Sequence, residues 1–420
     1  IYYIFKYPLN LALRVFFRRI FISHKERIPR GVPVVLAVNH PTAFIDPILI
    51  AVTMWPTLHF MLRGDLFGSR VARFFLDQIK TIPIFRARDG FASLRNNQEI
   101  MKHVNQKISR GSNILILAEG QATHEKKMRP IQKGAARMMF GAYDAYGRKD
   151  MVVIPVGINY TNSDEFRSEV MVDFGHPIPL KEYIPLYHEN PRKAINKMTA
   201  EISDGMRQRI IHVEKGERES AASMLMEIYR NNLRYKIYSG ISDDDTRLRS
   251  EFSIAENVNH LSEDDFEDLG ENSSEYQSLL KKLGIRDISL AKLNLYNPVS
   301  TILLLLCSVI AIPGIIMNFP PLRLGKFIAD LKVKKIEFHS SVRYGAGMFL
   351  SMIWIILLAI LFVFLGLPWW SVLIVPLIGF FGLLWRDYFK VWNGARLFRS
   401  LPVSTKEELL DLRHDLMEYL

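Results

Sequence analysis

Cysteine is almost absent from this sequence, in which Cys307 is the only one among 420 residues. A single thiol excludes a disulfide framework within the chain and any metal site built from several cysteines. Cys307 also lies inside an apolar block, and apolar surroundings disfavour the reactive thiolate. We therefore expect no cysteine nucleophile.

Negative charge is also scarce, with 43 acidic against 54 basic residues and a net charge of +11. A basic excess is typical of proteins that meet an anionic partner, such as nucleic acid, an anionic membrane surface or a phosphorylated substrate. The basic residues are spread along the flanks of apolar segments and are not interleaved with aromatic residues as in a nucleic-acid-binding motif. We therefore expect no nucleic-acid partner.

Apolar runs long enough to span a bilayer are missing before residue 298. Residues 1–22 are apolar and aromatic with interspersed lysine and arginine, which predicts an amphipathic helix lying in a membrane interface. An ordinary N-terminal helix packed on its domain is the equal alternative. Because the sequence begins at Ile1 without Met, we expect a short N-terminal piece to be missing. Residues 217–297 are charged and predict a solvated helical insert that carries no site.

Three apolar blocks follow within residues 298–400. Blocks 344–365 and 369–385 have the length and purity of spanning helices, and their short connection predicts a membrane hairpin over 344–385. Block 299–318 is interrupted by Pro313-Gly314 and is predicted to be a half-buried segment that does not cross. Residues 401–420 are predicted to form a cytoplasmic C-terminal helix.

The topology follows from basic residues on both sides of that hairpin. They lie in the connector before it, at Arg323, Lys326, Lys332, Lys334, Lys335 and Arg343, and in the tail after it, at Arg386, Lys390, Arg396 and Arg399. Positively charged loops favour the cytoplasmic side. We therefore expect an integral membrane protein with its 23–216 domain on the cytoplasmic face of a bacterial inner membrane or the endoplasmic reticulum.

Residues 23–216 alternate between strand-like and helix-like patterns. Strands are predicted at 32–38, 58–62, from 81, at 113–118, 151–160 and 170–174, with helices at 48–54, 71–79, 91–108, 135–146 and 184–216. This alternation predicts an α/β fold with a mainly parallel sheet and flanking helices. Such folds place their sites at the ends of the strands.

Asn39-His40 directly follow the first predicted strand, 32–38, and Asp46-Pro47 come after five further residues. On a regular helix this spacing is a rotation of about 600°, which puts His40 and Asp46 on different faces. The two can meet only if the chain turns between them, as Pro41 and Pro47 favour. His40 is then a candidate general base and Asp46 its orienting partner. The alternative is a surface histidine, with Asp46 as the N-cap of a helix that begins at Pro47.

Two further strand ends carry polar residues. Arg86 and Arg88 follow the strand from residue 81, and an arginine there suits bidentate phosphate binding, although a surface salt bridge to Asp89 is as common. Glu119-Gly120 follow the 113–118 strand. A basic segment then runs through Lys126, Lys127, Arg129 and Lys133, which could form an electropositive rim for phosphate or, equally, a membrane-facing surface.

Together these residues resemble the motifs of the glycerolipid acyltransferase superfamily, the PlsC-like enzymes. Asn39-His40 to Asp46-Pro47, Ile84-Phe85-Arg86, Glu119-Gly120 and Val153-Ile154-Pro155-Val156-Gly157 occur in the expected order within residues 32–180. Two features depart from the commonest pattern: five residues instead of four separate His40 from Asp46, and Ala118 stands where proline is usual.

A narrower resemblance is to the fungal glycerol-3-phosphate/dihydroxyacetone-phosphate acyltransferases and their bacterial relatives. It rests on the five-residue spacing and on Thr123-His124, Lys133-Gly134, Asn159-Tyr160, Phe166-Arg167-Ser168 and Phe174-Gly175-His176-Pro177-Ile178. Those proteins also carry a helical insert and C-terminal membrane segments. The resemblance therefore covers most of the chain and is sharpest before residue 180.

The resemblance implies a mechanism in which His40 deprotonates a glycerol hydroxyl and Asp46 orients the imidazole. The hydroxyl then attacks the thioester of acyl-CoA or acyl carrier protein directly, without a cofactor or a metal. Arg86 is expected on the acceptor phosphate, with Asn39, Arg88, Glu119, Gly120 and Lys133 as further substrate-binding residues.

The expected function is acyl transfer to a glycerol phosphate acceptor in phospholipid synthesis, with membrane lipids as surroundings. Glycerol 3-phosphate and lysophosphatidate (1-acylglycerol 3-phosphate) compete as the acceptor, and the narrower resemblance favours the first. The alternatives are an acyltransferase for another lysolipid or aminolipid, a hydrolase, and a non-catalytic membrane protein that binds lipid.

Overall fold

The computed structural model describes residues 2–54, 57–84, 91–238 and 240–420. The chain divides into two compact units. The first comprises Ile1–Ile211, Ile241–Asp245 and Lys335–Ser341, and the second comprises His212–Gly240, Thr246–Lys334 and Val342–Leu420.

Within the described residues, nine strands of the first unit form one sheet. They are β1 (Arg19–Ser23), β2 (Val34–Val38), β3 (Leu58–Arg63), β4 (Thr81–Ile84), β5 (Asn113–Leu117), β6 (Val152–Tyr160), β7 (Glu169–Phe174), β8 (Ile178–Pro179) and β9 (Ile241–Ser242). Their spatial order is β4-β3-β5-β2-β6-β7-β1-β9, and β8 pairs with β6.

The strands β4, β3, β5, β2 and β6 run parallel to one another, as the sequence predicted. β7 and β8 are antiparallel to β6, while β1 and β9 follow the direction of β7. Central strands of a parallel sheet are covered on both faces, and every residue of β2 is buried. Because β2 lies between β5 and β6, the carboxyl ends of these three strands meet at one edge.

Seven helices in the described part of the first unit surround the sheet. They are α1 (Tyr2–Phe16), α2 (Ile45–Thr53), α3 (Arg70–Gln78), α4 (Phe91–Ser109), α5 (Gly134–Tyr146), α6 (Ile184–Glu189) and α7 (Pro191–Arg207). On one face, Val35 and Ala37 of β2 share a hydrophobic cluster with Ile108 of α4, Phe140 of α5 and Ile202 of α7. The alternating residue Leu36 is also fully buried, as expected of a strand with helices on both sides.

The N-terminal helix ends earlier than the predicted range of 1–22, because Arg19–Ser23 form β1, which pairs with β7. The apolar run Ile20-Phe21-Ile22 has the composition that favours a strand. Arg167 caps the C-terminal end of α1, since its Nη1 donates to the carbonyls of Arg14 and Phe17 at 3.4 and 3.2 Å. Contact of α1 with a membrane interface stays a prediction.

The second unit is helical in its described part. Its helices are α8 (Glu219–Asn232), α9 (Thr246–His260), α10 (Glu263–Leu283), α11 (Asp287–Ala291), α12 (Pro298–Lys332), α13 (Ile336–Phe364, whose first turns belong to the first unit), α14 (Ile374–Ser400) and α15 (Val403–Met417). The predicted insert is therefore helical, but it is not simply solvated. Buried Asp287 accepts hydrogen bonds from Tyr276 Oη and Arg413 Nε, both at 2.7 Å, which joins α10 and α11 to α15.

The first apolar block differs from its prediction. It belongs to one continuous 35-residue helix, α12, which runs through Pro313-Gly314. Among the described residues, three helices are long and apolar enough to cross a membrane: Pro298–Lys332, Ile336–Phe364 and Trp369–Ser400. The expectation that only the last two blocks have sufficient length is wrong, and which of the three cross stays a prediction.

Within the second unit, α14 packs along α12 in the antiparallel direction, and the membrane hairpin over 344–385 stays a prediction. Trp385 Nε1 donates to the Leu304 carbonyl at 2.9 Å, and Asn318 Nδ2 donates to the Val375 carbonyl at 2.9 Å. A Cβ on Gly314 would lie only 2.2 Å from the Ile378 carbonyl oxygen. Small residues permit such close approach of apolar helices, which explains the choice of partner.

Candidate active site

The site is centred on His40, which follows β2 at the edge where β2, β5 and β6 end. Residues 41–44 form bends, and α2 then brings Asp46 back beneath the imidazole. The His40 Nδ1 to Asp46 Oδ2 distance is 2.9 Å. The chain therefore turns between the two residues as the spacing requires, and their side chains meet.

Asp46 is completely buried and is surrounded by donors. Its Oδ2 also accepts from the Thr42 amide at 2.9 Å. Its Oδ1 accepts from Thr42 Oγ1 at 2.6 Å and from Tyr160 Oη at 2.8 Å. Asp46 is thus not the N-cap of α2, because its oxygens are used by the His40 loop and β6, and the N-cap position is Phe44.

Sequence reasoning missed the roles of Thr42 and Tyr160. Burial and the neighbouring Asp46 carboxylate raise the pKa of Tyr160 well above its usual value, so its hydroxyl stays a neutral donor. The place of Tyr160 in the sequence could have indicated its role. Tyr160 ends β6, and the carboxyl end of β6 lies beside that of β2. Together these donors hold the carboxylate in one orientation beneath the histidine.

Asn39 is buried, and its side chain bonds to the backbone of the neighbouring strand. Its Oδ1 accepts from the Ile158 amide at 2.7 Å, and its Nδ2 donates to the Ile158 carbonyl at 2.9 Å. This pair of bonds continues the ladder between β2 and β6 by one step beyond Val38. The structure therefore shows Asn39 aligning His40, and contact with a substrate stays a prediction.

Glu119 follows β5 and ties two loops together. Its Oε2 accepts from the His40 amide and its Oε1 from the Arg129 amide, both at 3.0 Å. Burial raises the pKa of this carboxyl group, and the two N–H groups partly oppose that rise. Since both oxygens are engaged, the structure gives Glu119 a bracing role, and direct substrate binding stays a prediction.

The other predicted binding residues differ in placement. Gly120 is exposed and has φ = +76°, a left-handed turn conformation that favours glycine. Lys133 is exposed at the start of α5. Arg86 and Arg88 lie outside the described residues.

Two members of the predicted basic rim are engaged inside the protein. Lys126 Nζ donates to the carbonyls of Tyr160 and Thr161 at 3.3 and 3.1 Å. Arg129 pairs with Glu125 at 3.0 Å. The Lys126 bonds fasten the loop after Glu119 to the end of β6, whereas the Arg129–Glu125 pair lies within that loop.

The geometry fixes which imidazole nitrogen can do chemistry. An ionised carboxylate only accepts hydrogen bonds, so Nδ1 carries the hydrogen in its bond to Asp46. Nε2 is then the nitrogen that can take a proton from a bound group, and Asp46 offsets the positive charge that results. The arrangement suits general base catalysis by an imidazole.

Comparison with known proteins agrees with this chemistry. A family model described as "Acyltransferase" matches residues 19–159, the segment from β1 to the end of β6. This segment is therefore similar to the acyltransferase family, and the resemblance to the glycerolipid acyltransferase superfamily is confirmed.

Two curated relatives come from Saccharomyces cerevisiae. Glycerol-3-phosphate O-acyltransferase 1 is 25% identical over 338 residues, which cover 78% of this chain and 43% of the relative. Glycerol-3-phosphate O-acyltransferase 2 is 26% identical over 123 residues, covering 29% of this chain and 16% of the relative. The chain thus spans less than half the length of these relatives. The resemblance to the fungal-type enzymes is confirmed at 25% and 26% sequence identity.

A solved structure is also similar, that of the 1-acyl-sn-glycerophosphate (LPA) acyltransferase PlsC from Thermotoga maritima. It shares 16% sequence identity, covers 49% of this chain and 81% of its own, and has a TM-score of 0.35.

Proposed function

We propose that this protein is a membrane-bound O-acyltransferase that moves a fatty acyl group from a thioester donor to a glycerol phosphate acceptor. The observation that carries the proposal is the buried His40–Asp46 pair at the carboxyl edge of the sheet. It lies inside the segment that matches the acyltransferase family. Acyl-CoA or acyl carrier protein is the donor, and no cofactor is required.

In the proposed reaction, Nε2 of His40 accepts the proton of an acceptor hydroxyl as the oxygen attacks the thioester carbonyl. The new C–O bond replaces the C–S bond, and the departing thiolate takes the proton from the imidazolium. Asp46 holds the tautomer and stabilises the transient positive charge. Direct attack needs no cysteine, in keeping with the one free thiol, Cys307, which lies in α12.

The favoured acceptor is glycerol 3-phosphate. The printed names of the two yeast relatives support this choice over lysophosphatidate. Arg86, and secondarily Arg88, are proposed to bind the acceptor phosphate, because a guanidinium matches phosphate geometry. Gly120 and Lys133, both exposed at the ends of the Glu119 loop, are proposed to line the acceptor pocket.

We also propose an integral membrane location with the site on the cytoplasmic face, where soluble donors and phosphorylated acceptors are found. The three long apolar helices support membrane association. The excess of basic residues suits an anionic lipid surface.

The test is acyl transfer by the purified full chain in detergent or lipid. Labelled glycerol 3-phosphate and lysophosphatidate are supplied in parallel, each with acyl-CoA and then with acyl carrier protein. We expect acylated glycerol 3-phosphate as the product. His40→Ala should lower kcat by roughly 10²–10⁴-fold, the usual contribution of a general base.

The matched control is His260→Ala, since the His260 side chain is 82% exposed on α9. It should retain full activity. Product only from lysophosphatidate would move the assignment to that acceptor. Acylation of another lysolipid or aminolipid alone, or fatty acid release without an acceptor, would overturn the proposal. An unchanged rate in His40→Ala would remove His40 from the chemistry.

A further inference from the structure

The helix that carries Asp46 begins without a local side-chain cap. Phe44 occupies the N-cap position of α2 and supplies no capping oxygen. The first amides of a helix have no partner within the helix and require an acceptor from elsewhere. Asp46, the nearest carboxylate, cannot serve because its oxygens accept from His40, Thr42 and Tyr160.

Ser341, almost 300 residues further along the chain, supplies the missing acceptor. Its Oγ accepts from the Phe44 amide at 2.9 Å and from the Ile45 amide at 3.3 Å. Ser341 is only 4% exposed and belongs to the same compact unit as the site. It therefore acts as an N-cap from a distant part of the sequence.

The residues just before Ser341 hold the same loop. The Glu337 carbonyl accepts from the Ala43 amide at 3.0 Å. The Phe338 ring packs edge-on against Phe44, with 6.0 Å between the centroids. Three successive residues between His40 and Asp46, 43 to 45, are thus held by the first turns of α13.

We propose that Ser341 is a positioning residue of the active site, which sets the His40–Asp46 geometry by capping α2. Its effect on rate rests on the proposed function, whereas its effect on the loop does not. Ser341 itself touches no reacting atom.

The kinetic test compares Ser341→Ala with Ser340→Ala in the full chain in detergent or lipid. Ser340 is a matched control because it is 1% exposed and its hydroxyl has no hydrogen-bond partner among the described residues. Loss of a cap shifts a local equilibrium by roughly threefold to thirtyfold. We expect kcat of Ser341→Ala to fall within that range, with unchanged KM for both substrates, and Ser340→Ala to match the wild type.

Ser341→Thr keeps the hydroxyl and should restore most of the lost rate. A merely structural defect would not be rescued in this way and would not separate kcat from KM. A wild-type rate in Ser341→Ala, an equal loss in Ser340→Ala, or a threonine variant as slow as the alanine variant would overturn the proposal.

Hydrogen–deuterium exchange separates this proposal from the proposed function. Amides of Phe44 and Ile45 should exchange about threefold to thirtyfold faster in Ser341→Ala. They should exchange at the wild-type rate in Ser340→Ala. Faster exchange in a protein without acyltransferase activity would keep the cap and overturn the function. Unchanged exchange would overturn the cap whatever the activity.

Discussion

At the scale of single residues, the site depends on a carboxylate that accepts from three side chains and one backbone amide. His40 Nδ1, Thr42 and Tyr160 all donate to Asp46, which is completely buried. Such a buried charge is tolerated only because it is fully hydrogen-bonded. The arrangement makes Asp46 the anchor of the His40 loop and places its charge beside His40, the proposed base.

Asp46→Asn should lower kcat by roughly 10²–10⁴-fold while leaving the KM for the acceptor nearly unchanged. The asparagine keeps the shape but loses the charge that stabilises the imidazolium. Its NH2 group must also face one of the donors that now point at a carboxylate oxygen. Steady-state kinetics of the purified protein measures the effect.

The control for that substitution is Asp144→Asn, since Asp144 is exposed on α5. It should leave kcat at the wild-type value. A rate for Asp46→Asn within about threefold of wild type would show that the carboxylate is not needed for the chemistry.

Prediction from sequence found the central pair but not its surroundings. With the five-residue spacing, His40 and Asp46 could meet only through a turn, which the two prolines favoured. Tyr160 and Ser341 reach the loop from 114 and 296 or 297 residues away. Contacts of that range arise from the sheet order and from helix packing, which local periodicity does not encode.

At the scale of elements, the loop after β5 is ordered by Glu119, and this interaction depends on pH. Burial raises the pKa of Glu119 above its ordinary value of 4.5, so the folded state binds the proton more tightly than the unfolded chain. The contribution of this group to the free energy of unfolding is therefore greatest below pH 4.5. It is lost as the pH rises through the higher folded pKa.

Glu119→Gln removes that titration and also turns a donor toward a backbone N–H. The wild type should therefore gain stability relative to the variant on acidification. The difference in Tm between them should be larger at about pH 5 than at about pH 7.5. A difference that is constant, or larger at the higher pH, would contradict the assignment.

The Val153–Gly157 motif has a packing role that the sequence did not reveal. A Cβ on Gly157 of β6 would lie 2.2 Å from the Arg209 carbonyl oxygen. Asn159 holds the same contact by donating to that carbonyl and accepting from the Ile211 amide, both at 2.8 Å. The glycine is thus needed because two backbone segments touch.

Gly157→Ala should destabilise the protein by about 2–3 kcal/mol, the upper part of the range for overpacked sites. The corresponding loss in Tm is roughly 4–12 °C. Gly216→Ala is the control, since nothing lies within 4 Å of its added Cβ. Equal melting temperatures for the two variants would show that the backbone contact can relax.

The order of strands and helices in residues 23–216 was largely predictable, because apolar residues recur with a different spacing in buried strands than in amphipathic helices. Asn113–Leu117 and Val152–Tyr160 fall within one residue of their predicted ranges. Residues 19–22 were predicted as helix because their pattern continues that of α1. Their partner β7 and the cap from Arg167 decide the outcome, and neither is adjacent in the sequence.

At the scale of the whole molecule, the length of α12 indicates that it crosses the membrane, whereas the basic residues of the chain indicate that it does not. The helix has 35 residues, or about 52 Å at 1.5 Å per residue, which exceeds a bilayer core of about 30 Å. The C-terminal part of α12 with the short connector after it, and the C-terminal part of α14, are both basic, which favours the same, cytoplasmic face. Because the predicted hairpin of α13 and α14 returns the chain to the face from which it started, these two segments share a face with the start of α12 only if α12 lies along the interface.

We predict that the distribution of basic residues, rather than helix length, determines the membrane topology. Both basic segments are then cytoplasmic. Cys307→Ser provides a background without thiols, since the chain has no other cysteine. Single cysteines at Lys326→Cys and Arg396→Cys should react with a membrane-impermeant maleimide only from the cytoplasmic side. Leu367→Cys, between α13 and α14, is the control for the far side. Reaction of Lys326→Cys from that far side would mean that α12 crosses, because a continuous helix of this length then connects the two faces.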